Sequence, residues 1–205
     1  MAFCGLVFNI AVKAQNNKNE HRLTFSEWAA YYSNGKETYN LGSGNTTASL
    51  GNTVGLLAYW SAPYKDYNDD ELVLGWNANF GAGWNVTKGK VAQYNADIGF
   101  WSSKLINKYV EVGVQYSFLG VYCYQNISFL GSSFQAAVRV TDVQATYSRE
   151  GEGVFIGWLK PKSPMSYVNS IGAKYFIGKN VFLGGRYTSY KFNKEYAIVA
   201  GLTAL

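Results

Sequence analysis

Between Glu71 and Val86 every even position is apolar: Leu72, Leu74, Trp76, Ala78, Phe80, Ala82, Trp84 and Val86. The odd positions are mostly small or amide: Gly75, Asn77, Asn79, Gly81, Gly83 and Asn85. Successive side chains of a strand point to opposite faces, so a period of two predicts one long strand with an apolar face and a small polar face. The pattern recurs. Ala92, Tyr94, Ala96, Ile98 and Phe100 alternate with Gln93, Asn95, Asp97 and Gly99. Val110, Val112, Val114, Tyr116 and Phe118 alternate with Glu111, Gly113, Gln115 and Ser117. Phe134, Ala136, Val138 and Val140 alternate with Gln135, Ala137, Arg139 and Thr141.

Noisier strand patterns complete the set: His21 to Tyr32, Thr46 to Trp60, Gly153 to Lys160, Ser170 to Gly178, Val181 to Phe192 and Tyr196 to Leu205. Tight turns are expected at Thr87–Lys90, Arg149–Gly153, Gly178–Asn180 and Asn193–Glu195, where Gly, Asn and charged residues cluster. Longer loops are expected at Ser61–Asp70 and Lys160–Ser166. Pro63, Pro161 and Pro164 fall between the strand patterns, where they remove no ladder hydrogen bond. No helix-length amphipathic segment intervenes, so the connections imply an antiparallel meander rather than a crossover fold.

Composition decides what the apolar faces meet. Aromatics make up 17 % and charged residues only 15 % of the chain, against about 25 % charged in an ordinary soluble domain. A water-facing strand carries Lys, Glu, Thr and Arg, whereas these polar faces carry Gly, Asn and Gln, which suit the crowded wet interior of a narrow barrel. Trp76 and Trp84 lie eight residues apart on the apolar face. That spacing is about 26 Å along a strand and about 20 Å vertically at a tilt of ~40°, near the ~25 Å between the aromatic girdles of a membrane barrel. The reading is an all-β, antiparallel, up-and-down transmembrane β-barrel of about ten strands, within a range of about eight to twelve. The aromatics expected to face the membrane are Trp76, Phe80, Trp84, Tyr94, Phe100, Tyr116 and Phe118. The residues expected to line the lumen are Asn77, Asn79, Gln93, Asn95, Asp97, Glu111, Gln115, Arg139, Lys174 and Arg186. Charges buried inside a barrel need partners, so acidic residues of the middle strands are expected to face basic residues of later strands. Such a network would either plug the lumen or form a charge-selective constriction. A soluble ligand-binding barrel is the alternative, and it calls for shorter strands of about 5–6 residues.

Ten strands raise a difficulty. With the C-terminus on the periplasmic side, the tight Thr87–Lys90 turn falls outside and the longer Ser61–Asp70 loop inside, the reverse of the usual arrangement. An additional strand within Leu119–Ser133 would restore it.

The remaining features narrow the chemistry. The formal net charge of +5 is spread without a basic run, which argues against a nucleic-acid partner. Residues Ala2 to Val12 form a short apolar run and Val12–Ala14 resembles a small-residue cleavage site. Residues 1–14 are therefore expected to be a signal-peptide remnant and 15–205 a single barrel domain. Cys4 and Cys123 are the two cysteines and His21 is the single histidine, so no disulfide framework, metal site or cofactor is expected. No Ser/Asp arrangement can be argued around His21, and a non-enzyme is expected. Asp66, Asp69, Asp70 and Glu71 cluster in one expected loop. They read as solvated, with a divalent cation as the alternative. No stretch approaches the ~20 apolar residues of a transmembrane helix.

The signal-like start, the alternating strands, the aromatic spacing and the C-terminal strand together resemble the small bacterial outer-membrane β-barrels. Tyr196, Ile198, Ala200 and Leu202 keep the alternation to the end, but the chain closes on Leu205 where members of that class commonly close on Phe. The resemblance implies a Gram-negative outer membrane, contact with its lipid, and insertion by the barrel-assembly machinery. It implies a narrow porin-like channel for small solutes, or alternatively a closed structural barrel binding partners through Tyr64–Glu71 or Cys123–Ser133.

Overall fold

The computed structural model describes residues 23, 26–40, 45–68, 72–125, 127–151, 167–178 and 180–203. Ten strands occupy them: β1 Glu27–Asn40, β2 Asn45–Asn68, β3 Leu72–Asn85, β4 Lys90–Asn107, β5 Val110–Tyr124, β6 Ile127–Val140, β7 Val143–Gly151, β8 Tyr167–Ile177, β9 Val181–Tyr190 and β10 Asn193–Thr203. Each strand pairs antiparallel with its neighbours in sequence, and β1 pairs with β10 to close the barrel. Closure leaves no unpaired edge, a condition any sheet must meet to cross hydrocarbon.

Several boundaries differ from the sequence reading. The expected Ser61–Asp70 loop is strand as far as Asn68, because β2 runs on through Pro63 with a register shift between Pro63 and Asn68. The Cys123–Ser133 stretch is not a surface loop. It is the end of β5 and the start of β6 joined at residues 125–126. Arg149–Gly151 belongs to β7, and Asn193–Glu195 opens β10. The seventh strand is thus Val143–Gly151, while the expected strand at Gly153–Lys160 lies outside the described residues, as do residues 1–22. The missed hairpins share a cause. Gln125, Thr141 and Lys191 adopt the left-handed backbone at φ 54°, 51° and 51°. Two-residue hairpins require that conformation and usually announce it with Gly or Asn. Gln125, Thr141 and Lys191 are not themselves such residues, although Asn126 and Asp142 follow the first two.

The extended β2 removes half of the orientation difficulty: the connection beside the termini shortens to residues 69–71, while the tight turn at residues 86–89 stays at the far end. Glu27 lies opposite Thr203, so the described chain begins and ends at one end of the barrel. At that end the connections are residues 69–71, 108–109, 141–142 and 178–180. At the far end they are 41–44, 86–89, 125–126, 152–166 and 191–192. Short turns beside the termini and the longest connection opposite them are the arrangement of bacterial outer-membrane barrels.

The apolar face is the outer face. On β3, Trp76 and Phe80 are 48 % and 57 % exposed, whereas Asn77 and Asn79 are 3 % and 6 % exposed. Every strand contributes to the same belt, with Trp28, Leu56, Phe80, Ile98, Val114, Val138, Tyr147, Ile171, Leu183 and Ile198 exposed in turn from β1 to β10. Soluble monomers rarely expose an apolar patch above about 300–600 Å². A continuous belt around the wall is built for lipid, and the soluble ligand-binding barrel does not fit it.

Candidate functional site

The candidate site is the barrel interior, and its glycines are the place to begin. Tyr31 projects inward from β1, and a Cβ at Gly83 of β3 would sit 2.1 Å from its hydroxyl. A Cβ at Gly55 of β2 would sit 2.4 Å from its ring. The small inner positions of β2 and β3 therefore make room for one aromatic ring lying across the neighbouring wall. From there the Tyr31 hydroxyl donates to Gln93 Oε1 at 2.8 Å, and Gln93 Nε2 donates to Glu195 Oε2 at 2.6 Å. Ser33 Oγ donates to the other Glu195 oxygen.

Two further groups of charges occupy opposite walls. On the β3–β5 wall, Asp97 Oδ1 accepts from Asn79 Nδ2 at 2.7 Å and from the Ser117 hydroxyl. Asn77 Nδ2 donates to Ser117 Oγ at 3.0 Å and extends the chain of bonds. On the β1–β8–β9 wall, Lys174 Nζ contacts both Glu27 carboxylate oxygens at 2.5 and 2.6 Å. The Lys174 ammonium also lies 4.8 Å from the Phe182 ring centre, and the Arg139 guanidinium lies 3.8 Å from that of Phe176. Tyr124 donates to Glu150, and Arg186 stands 5.3 Å from the Tyr31 ring centre.

Side chains leave a central cavity of about 80 Å³, lined by Asn79, Asp97, Glu150, Lys174 and Arg186 among others. A water needs about 10–15 Å³ of such space, so the cavity has the size of several waters. Apolar clusters lie beyond it in both directions. Tyr122, Phe129, Val168 and Tyr190 pack together toward the far end, with Tyr124 and Ile127 against them. Leu23, Trp101 and Ala137 pack together toward the terminal end, with Val73 against them. Leu23 precedes β1 and its N–H donates to Glu111 Oε2 at 2.6 Å, which fixes Leu23 itself in the barrel mouth.

Of the residues singled out from the sequence for the lumen, Asn77, Asn79, Gln93, Asp97, Glu111, Gln115 and Arg139 are buried. Asn95, Lys174 and Arg186 are half-buried and border the cavity. Trp76, Phe80, Trp84, Tyr94, Phe100 and Phe118 are exposed on the outer wall, and Tyr116 is half-buried. Trp76, Phe100 and Phe118 form a row with ring centres 4.4 and 5.3 Å apart. The expected charge pairing needs correction. Asp97 of the middle strands is held by an amide and a hydroxyl, and the basic residue Lys174 pairs with Glu27 of the first strand. Glu111 does stand directly opposite Arg139 in the β5–β6 register. Sequence reasoning missed Glu27, Glu150 and Glu195. The last two were assigned to turns, although Gln144, Thr146, Ser148 and Glu150 share one parity of β7. The acidic cluster at Asp66–Glu71 has no described side chains, and no group able to hold a metal occurs among the described residues.

No protein-family model matches the sequence. No curated protein matches it either. Solved structures are similar in fold. The KdgM porin is 11 % identical with a TM-score of 0.45, over 85 % of this chain and 98 % of that one. The outer membrane phospholipase of Salmonella typhi is 10 % identical with a TM-score of 0.48, over 96 % of this chain and 98 % of that one. A de novo designed transmembrane β-barrel is 16 % identical with a TM-score of 0.30, over 88 % of this chain and 98 % of that one.

Proposed function

We propose that the protein spans the bacterial outer membrane as a closed barrel, acting through its outer wall and far-end surface rather than as an open diffusion pore. The observation that carries this reading is the filled interior: a cavity of about 80 Å³ between two apolar clusters. The apolar belt and the short turns at the terminal end support the location. Exposed Trp28, Trp60 and Trp76 lie toward one end of the wall and Tyr32, Trp84 and Tyr196 toward the other. That suits aromatic rings held at two interfaces. The reading is of a non-enzyme, since the chain's single histidine, His21, stands in the polar segment before β1.

A second reading, a narrow gated channel for small solutes, is favoured by the cavity's own chemistry. Asp97, Glu150, Lys174 and Arg186 border one chamber, and rings of charge select ions in pores. Planar-bilayer recording separates the two. The closed barrel predicts no stepwise current at any voltage. Stepwise current whose ion selectivity changes in Arg186→Gln would replace it with the channel. Either reading requires the folded protein to need detergent and to migrate differently on gels before and after boiling.

A further inference from the structure

Resting on the membrane-barrel reading, we propose that the outer wall carries a site for one acyl lipid with an anionic phosphate headgroup. A groove of about 790 Å³ runs across β10, β1, β2 and β3 on the lipid-facing surface. Exposed Ala30, Ala82 and Ala200 lower its floor, and Tyr32, Phe80 and Trp84 stand at its sides. In a membrane the neighbour of such a groove is an acyl chain.

The headgroup is specified by what lies above. The outward row of β1 climbs from Ala30 through Tyr32 and Asn34 to Lys36, and that of β10 climbs through Ile198 and Tyr196 to Lys194. Lys36 and Lys194 are directly opposite in the β1–β10 register, and both are exposed. Like charges directly opposite on a sheet destabilise the pair, and an anion between them reverses the sign. No ion pair holds either lysine among the described residues. Glu195, the next residue along β10, turns inward to Ser33 and Gln93. A third lysine, Lys88, is exposed in the turn above Trp84. That turn is fixed to β2, because Thr87 Oγ1 accepts the Asn52 N–H at 2.9 Å. The six-residue step from Lys36 to Ala30 is about 20 Å along the strand. After tilt it is close to the ~15 Å of half a bilayer's hydrocarbon. A phosphate at the lysines thus places its chain in the groove.

The test uses full-length protein folded in neutral detergent and native mass spectrometry. Dipalmitoyl phosphatidylglycerol is compared with dipalmitoyl phosphatidylcholine. The site predicts preferential retention of the anionic lipid. Each lysine near a membrane surface contributes about a fivefold factor to binding an anionic lipid. Lys36→Gln with Lys194→Gln should therefore weaken phosphatidylglycerol binding by about 25-fold and leave phosphatidylcholine unchanged. The paired Lys→Arg variant should bind as the parent, and Lys104→Gln, at the other end of β4, should have no effect. Ala82→Leu should weaken both lipids by filling the groove. Equal retention of the two lipids, unchanged binding by the double Gln variant, or release of the lipid by millimolar inorganic phosphate would each overturn the site. Heat-dependent gel mobility is read on every sample. Its loss in the parent protein would strike the barrel reading, whereas its retention beside failed lipid selectivity would strike only this site.

Discussion

The interior settles two carboxylates in two ways, and the contrast shows what a narrow barrel can tolerate. Glu27 is matched by a cation, with Lys174 contacting both of its oxygens. Asp97 is matched by neutral donors, Asn79 and Ser117. Both are buried. An ion pair gathers its stabilisation from one partner and is lost whole when that partner changes. A carboxylate held by several neutral dipoles distributes its stabilisation and loses it in parts.

The largest effect follows from breaking the pair on one side only. Glu27→Gln leaves the Lys174 ammonium without its counter-charge, in a setting where the two side chains are 8 % and 13 % exposed. Removing one partner of a buried pair costs about 3–5 kcal/mol, and urea unfolding in detergent should show a loss of that order. Replacing both, Glu27→Leu with Lys174→Met, should recover most of it. Matched apolar replacements of buried pairs are commonly neutral or better. A double variant as unstable as the single would mean that packing, not charge, holds this wall.

Next in size is Phe80→Lys, which tests the outer side of the wall rather than its inner charges. Phe80 is among the more exposed residues of the belt. A lysine at the mid-depth of a membrane barrel costs about 2–4 kcal/mol. Reduced folding yield into vesicles is the expected result, and full tolerance of the charge would reverse the assignment of the two faces.

How much of this was legible beforehand depends on whether a feature is local. Inside and outside were readable on β3 because alternation is a property of adjacent residues: Trp76, Phe80 and Trp84 share one parity, and Asn77 and Asn79 the other. The hairpins at Gln125, Thr141 and Lys191 were not readable. Residues without a turn preference take the left-handed conformation there under the demand of the flanking strands. The Glu27–Lys174 pair was least readable of all. Its members are 147 residues apart and meet only because the barrel closes, which leaves just β10 and β9 between β1 and β8. The Asp97 network lies between these cases. Asn79 and Asp97 are register partners on β3 and β4, so the hairpin at residues 86–89 brings them together.

Ser117→Ala probes the neutral wall by removing one donor. Ser117 donates to Asp97 and accepts from Asn77, so its loss strands groups on both sides. A hydrogen bond to a charged group contributes about 1.5–3 kcal/mol, and the destabilisation should fall in that range, below that of Glu27→Gln.

The sharpest comparison is the smallest effect, Asp97→Asn set beside Glu27→Gln. Each change replaces a buried carboxyl with its isosteric amide. At Glu27 a cation is left behind. At Asp97 no cation is within pairing distance among the described residues, and the amide oxygen still accepts from Asn79 and Ser117. Asn79 Oδ1 is a buried acceptor with no hydrogen-bond partner in the structure, and the new amide adds a donor to the same cluster. The charge-assisted part of the existing bonds is lost, while the desolvation of a buried charge is relieved. These oppose each other, and the net change should stay below about 1 kcal/mol. The check is the urea midpoint of each variant against the parent. Equal losses for the two amides would mean that the walls do not differ and that an unseen positive charge serves Asp97. A near-neutral Asp97→Asn beside a severe Glu27→Gln establishes that this interior holds charge by two separable means.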